Sequence, residues 1–188
     1  MCAVQTCGNF TDRFSESTSA TGKRDRVKNG KIDDIDVKIL DFLQRDGRIT
    51  NQALSEAVGL SASACLERVR ALEKAKIISG YRAEIDLQKL GPRVTVIAEV
   101  TLEKQGAQQQ RTFEQNLKKL SEVTECFEVS GQCDYILKVV CRDVEAYRDL
   151  TARILDDPKF GVANVKSRIT LRAVRRFEGY PPKLLEHG

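Results

Sequence analysis

Apolar residues recur at helical spacing through the first half of the chain and switch to alternation in the second. Ile35, Ile39, Phe42 and Leu43 share one side of a helix that Asp33 or Asp34 opens, since a carboxylate suits the positive end of a helix; Asp46-Gly47 closes it. Thr50 offers a hydroxyl cap to a short helix over 51–58, where Leu54 and Val58 lie one turn apart, and Gly59 breaks it. After Leu60, Ser61 caps a longer helix over 62–74 with Ala62, Cys65, Leu66, Val69 and Leu72 inward. Residues 77–86 alternate weakly around Ser79-Gly80, as a hairpin wing does. Tyr81 and Arg82 can lie along a nucleic-acid backbone there, although Tyr81 packs on the third helix equally well.

Gly91-Pro92 disfavours regular structure, so 87–92 reads as a hinge. Beyond it Val94, Val96, Ala98, Val100 and Leu102 occupy every second position, the pattern of a half-buried strand. Phe113, Leu117 and Leu120 predict a helix over 108–120, followed by strands over 123–130 and 135–141. Asp143 caps a second helix with Val144, Tyr147, Leu150, Ile154 and Leu155 inward, Asp157-Pro158 stops it, and 165–174 makes the last strand. The order β-α-β-β-α-β gives a four-stranded antiparallel sheet with both helices on one face. The fold class is therefore α+β, a winged helix-turn-helix followed by a ferredoxin-like βαββαβ domain. The uncovered face of the sheet calls for another subunit, with Ile97, Ile136 and Val140 as contacts.

Composition narrows the function classes. The 188 residues, 41% hydrophobic, can fill two small cores. The only histidine is His187, so imidazole metal sites and histidine-based catalytic triads lack parts. No GxxxxGK[ST] or GxGxxG loop is present. No metal, cofactor or enzymatic activity is expected. The six cysteines are scattered without a CxxC pair, and Cys65 and Cys141 read as small buried apolar residues. No apolar run reaches the roughly 18 residues of a membrane span and no signal-type segment opens the chain, which predicts a soluble, cytoplasmic protein.

Net charge is +4, and its placement matters more than its size. Residues 31–91 are balanced, with ten basic and ten acidic side chains, whereas 61–82 carry five basic against two acidic. A neutral domain with one basic edge suits oriented docking on phosphates. The outer face of the third helix holds Ser63, Ala64, Glu67, Arg68, Arg70 and Lys74. Ser61, Ser63, Ala64, Arg68 and Arg70 are the candidates for base edges or adjacent phosphates, with Lys74 and Arg82 on the backbone. Glu67 either accepts from cytosine or holds Arg68 or Arg70 in place. A helix-turn-helix outline also builds ordinary helical cores, so the outline by itself leaves both uses open.

Across Asp33-Asp34-Ile35-Asp36, Ile39-Leu40, Gly47-Arg48, Val58-Gly59-Leu60-Ser61, Cys65-Leu66-Glu67-Arg68-Val69-Arg70, Leu72-Glu73, Ile78 and Gly80-Tyr81 the chain resembles the Lrp/AsnC family of transcriptional regulators. The resemblance spans roughly 31–176. It implies a winged helix-turn-helix at 31–86 and an effector-binding, oligomerising domain at 93–176, and leaves outside it 1–30, which its Ser, Thr and Gly content predicts to be a disordered tail, and a C-terminal tail at 177–188. The loop Gly131-Gln132-Cys133-Asp134 resembles the family's Gly-x-x-Asp segment, where backbone groups and a carboxylate receive the amino group of a small amino acid. The facing pocket residues fall on Arg168, Ile169 and Thr170. Read from the residues alone, Gly131 and Asp134 serve a turn and its cap equally well. Arg168 also belongs to a basic stretch with Lys166, Arg172, Arg175 and Arg176 that fits a solvated face or an assembly contact.

The resulting expectation is a sequence-specific DNA-binding regulator of double-stranded DNA, working as a homodimer or a higher oligomer (tetramer or octamer) and answering to an amino-acid effector. The rival is an enzyme-associated amino-acid sensor whose helices bind protein.

Overall fold

The computed structural model describes residues 32–104 and 106–185; the tail placed at 1–30 lies outside them. Two compact units emerge, one from residues 32–85 together with 174–185, the other from residues 86–173.

The first unit is built on α1 (Asp34–Arg45), α2 (Asn51–Val58) and α3 (Ala62–Lys74). Each helix starts on the cap its sequence offers. Asp33 accepts the Ile35 and Asp36 amides at 3.0 and 2.9 Å while Asp36 reaches back to the Asp33 amide, completing a capping box. Thr50 accepts from Ala53, and Ser61 from Ala64. Between α2 and α3, Gly59 takes φ +73°, the left-handed conformation that lets α2 end and α3 leave at a new angle. The Asn51 side chain then donates to the Ala62 carbonyl at 2.8 Å and fixes the turn. Ile39, Leu40, Leu54, Val58, Cys65 and Leu72 form the core, with Ile35, Phe42, Leu43 and Val69 against its edge. Leu66, expected inside, is 37% exposed. It lies about 100° round the helix from Cys65, beyond the stripe that α1 and α2 cover.

No strand forms over 77–86, so the expected hairpin wing is replaced by irregular chain. The Ile77 and Ile78 amides turn back onto the Leu72 carbonyl, closing α3, and the short arms left around Ser79-Gly80 offer too few pairs for an isolated hairpin. Tyr81 packs on α3 instead, donating to Glu73 Oε1 at 3.0 Å.

The second unit runs β1 (Val94–Leu102), α4 (Ala107–Leu117), β2 (Val123–Glu128), β3 (Tyr135–Cys141), α5 (Val144–Asp156) and β4 (Val162–Ile169). The strands pair antiparallel in the order β2-β3-β1-β4. One face is dry, where Val96, Ala98, Val100 and Leu102 meet Tyr135, Leu137 and Val139 of β3, Phe113 and Leu117 of α4, and Tyr147, Leu150 and Ile154 of α5. Val144 and Leu155, predicted inward, are 53% and 43% exposed, Val144 at the first residue of α5 and Leu155 about 100° round the helix from the buried Ile154. The last strand starts and stops earlier than 165–174. Its pairing with β1 ends at the bond from the Thr170 amide to Thr95, since β1 begins at Val94 and leaves nothing further to pair with. The opposite face of the sheet has no helix over it. Across it the register sets Thr95 beside Val140, Ile97 between Lys138 and Arg168, and Glu99 between Ile136 and Lys166.

Candidate nucleic-acid interface and effector loop

The side of α3 away from Cys65 and Leu72 is open to solvent, with Ser63, Glu67, Arg70 and Lys74 exposed and Ala64 half-buried, and Ser61, the cap before the first turn, is exposed as well. Ser61 Oγ is already engaged as the α3 cap and lies 3.2 Å from Ser63 Oγ, so this hydroxyl pair sits at the first turn, where the helix presents unpaired amides. Arg70 and Lys74 are one turn apart and add positive charge along the same side. Arg82 is exposed in the irregular segment that follows α3.

Arg68 has a different duty from the one its sequence position suggests. Its Nη1 lies 2.7 Å from Asp33 Oδ2 and 2.8 Å from Asp36 Oδ1, and Asp36 is buried at 2% exposure. These bonds turn the guanidinium inward and raise its pKa, Asp33 and Asp36 being the main causes. Burial works against a charged Asp33, yet the Asp36 amide and the Arg68 bond outweigh it and hold that carboxyl below its ordinary value of 3.8. The partners of Arg68 are thus Asp33 and Asp36, so of the alternatives read for Glu67 the holding of Arg68 falls away. The acidic opening of α1 is legible in the sequence; the second use of Asp33 and Asp36 as a receptor for Arg68 has no local signature.

In the sheet unit the Gly131-Gln132-Cys133-Asp134 loop joins β2 to β3. A Cβ on Gly131 would meet nothing within 4 Å, so the main chain there is approachable. Asp134 Oδ2 accepts the Leu102 amide at 2.8 Å, at the place where the β1–β4 register shifts. Its own amide bonds the Val100 carbonyl at 2.9 Å. Arg168, Ile169 and Thr170 are not brought to this loop within one copy. They lie beside Ile97, Val96 and Thr95, whereas the loop is anchored at Val100 and Leu102, roughly 10–23 Å along the strand at ordinary strand rise. Arg168 is also ion-paired to Glu99 on the uncovered face. The two halves of the expected pocket are therefore apart in the single chain.

Among the described residues no three His, Cys, Asp or Glu side chains gather as a metal site, and no helix is long and apolar enough to cross a membrane. Cys65 and Cys141 are buried free thiols whose pKa values burial raises.

Residues 32–73 match the AsnC-type helix-turn-helix domain, and residues 95–179 match the Lrp/AsnC ligand binding domain. The chain belongs to the Lrp/AsnC family. Its Lrp/AsnC relatives include the leucine-responsive regulatory protein of Haemophilus influenzae, 42% identical over 71% of this chain and 80% of that one. They also include the Bkd operon transcriptional regulator of Pseudomonas aeruginosa, 39% identical over 77% of this chain and 94% of that one. Among solved structures, a transcriptional regulator from Neisseria meningitidis in complex with L-Met superposes with a TM-score of 0.76 at 30% identity, covering 82% of this chain and 99% of its own. An AsnC family regulator from Agrobacterium tumefaciens gives 0.75 at 27% identity, over 81% and 99%. The helix-turn-helix and the four-stranded antiparallel sheet described above are the two domains of an Lrp/AsnC transcriptional regulator.

Proposed function

We propose that α3 is the DNA-reading helix of a sequence-specific regulator, carried into the major groove of double-stranded DNA by its exposed side. The observation that carries this is the row of Ser63, Arg70 and Lys74 open to solvent on the side of α3 away from the buried Cys65 and Leu72, with Ser61 exposed at the helix start. Ser63, Ala64 and Arg70 reach base edges, Ser61, Lys74 and Arg82 take phosphates, and Arg68 sets the tilt of the helix from behind. Binding of the purified protein to the promoter fragment upstream of its own gene, measured across a salt series, tests this. A salt-independent affinity, or one equal on unrelated DNA, sinks it.

The effector is an amino acid, received at the Gly131–Asp134 loop by backbone groups and the Asp134 carboxylate. The L-Met bound by the Neisseria meningitidis relative supports this choice of chemistry. Because Arg168, Ile169 and Thr170 lie apart from the loop within one copy, the pocket is completed by a second copy. The same assembly covers the open sheet face. Dimers then present two α3 helices about one DNA turn apart to a partly palindromic operator, and higher oligomers (tetramer or octamer) extend the array. Titration calorimetry with L-leucine and L-methionine, paired with sedimentation, tests this part; flat signals in both overturn it. A DNA ligand places the site of action in the compartment that holds the chromosome.

A further inference from the structure

The chain enters the helical unit twice, first with residues 32–85 and again, after the whole sheet, with residues 174–185. The return is held by a specific device. On the last turn of α1, Gln44 Oε1 accepts the Tyr180 amide at 2.6 Å, and Gln44 Nε2 donates to the Tyr180 carbonyl at 3.2 Å. One side-chain amide thus supplies both bonds that a neighbouring strand would give. Gly179 is required just before it on two counts. Its φ is +123°, and a Cβ there would sit 3.0–3.1 Å from the Gln44 side chain. Pro181 then keeps the chain extended, the 3-10 turn Pro182–Leu184 follows, and Leu185 lands against the core shared by α1, α2 and α3. Upstream, Arg176 lies 3.6 Å from Glu84, and the Phe177 and Tyr180 rings meet edge to face with centroids 4.9 Å apart.

The docking is small as well as specific. Phe177, Tyr180 and Leu184 stay 58–71% exposed, so two hydrogen bonds and Leu185 do most of the holding. Contacts of that size open locally without global unfolding.

We propose that residues 176–185 form a releasable strap whose docking on Gln44 stiffens the DNA-reading unit. Docked, Leu185 buttresses the core that α3 rests on through Cys65 and Leu72. Released, it leaves α1 and α3 to fluctuate. Residues 170–175 connect it directly to β4 along the chain. The inference deepens the reading of α3 as a DNA-binding helix, and its test is independent of DNA.

The experiment compares the full chain with Gln44→Ala and with Gly179→Val, the second lying outside every helix. Tryptic cleavage of the Arg176–Phe177 and Lys183–Leu184 bonds is followed by mass spectrometry, alongside amide hydrogen exchange in α1 and α3. Both variants are expected to cleave about tenfold faster and to exchange about fivefold faster in both helices, as loss of two modest hydrogen bonds implies. Cleavage at the wild-type rate, or faster cleavage with unchanged exchange in α3, overturns the strap. A gel shift on the same variants separates the two claims. Faster exchange in α3 with undiminished DNA affinity supports the strap and counts against α3 as the reading helix.

Discussion

Arg68 and Asp36 are joined across the helical unit, Nη1 to Oδ1 at 2.8 Å, and the bond fixes the middle of α3 to the first turn of α1. The carboxylate is buried and the guanidinium only one-third exposed, with Asp33 as a second acceptor at 2.7 Å. A cation on α3 is in this way committed to orientation, while its neighbour Arg70 is left facing solvent.

Arg68→Ala leaves Asp36 buried without its cation, a loss expected to destabilise the helical unit by about 2 kcal/mol, below the value for a fully buried pair because Asp33 and Arg68 are partly solvated. Urea unfolding of the variant measures it. Adding Asp36→Asn should recover part of the loss, and a fully additive double variant would argue against the coupling.

Arg70→Ala should leave unfolding unchanged within about 0.5 kcal/mol and cost about 1–3 kcal/mol of specific DNA affinity, concentrated at one base position. Lys74→Ala should lower affinity evenly on all sequences and reduce the salt slope by about one. Gel shifts with operator variants distinguish these patterns.

Asp134 serves β1 and, on the proposed function, an ammonium group. Asp134→Asn keeps an oxygen for the Leu102 amide and should unfold like wild type while amino-acid affinity falls about tenfold or more. Asp134→Ala removes the acceptor as well and should cost about 1–2 kcal/mol of stability in the sheet unit. Calorimetry with L-leucine and L-methionine, run beside urea unfolding, reads both effects.

Acid sensitivity follows from Asp33. Its folded pKa lies below the ordinary 3.8, so the stability it contributes is fully present above that value and is lost as pH falls through the folded pKa. Melting temperatures between pH 2.5 and 6 should therefore drop on the acid limb, and Asp33→Asn should flatten that limb while lowering the plateau.

On the open sheet face, Ile97→Glu would set a carboxylate between Lys138 and Arg168 without touching the buried side of β1. Secondary structure should persist by circular dichroism while sedimentation shifts toward monomer. An unchanged sedimentation coefficient would remove this face from the assembly.

Local chemistry made the elements readable from the chain. Asp33, Thr50, Ser61 and Asp143 cap the helices they precede, and the alternation at 94–102 has a period that only a strand satisfies. Those signals depend on neighbours within a turn or two, so they survive in one dimension. The ends of the elements did not, because β4 stops where β1 runs out of partners and the weak pattern over 77–86 found no partner to pair with.

The sequence by itself determined the helix-turn-helix pair and the βαββαβ order, each a matter of periodicity and caps. Only the tertiary structure decided that Arg68 turns inward to Asp36, that Asp134 supports β1, and that Gln44 receives Tyr180 from 136 residues away. Such partners are chosen by proximity in space after the chain has closed on itself. No local preference of Arg, Asp or Gln encodes which distant backbone or charge will arrive beside it.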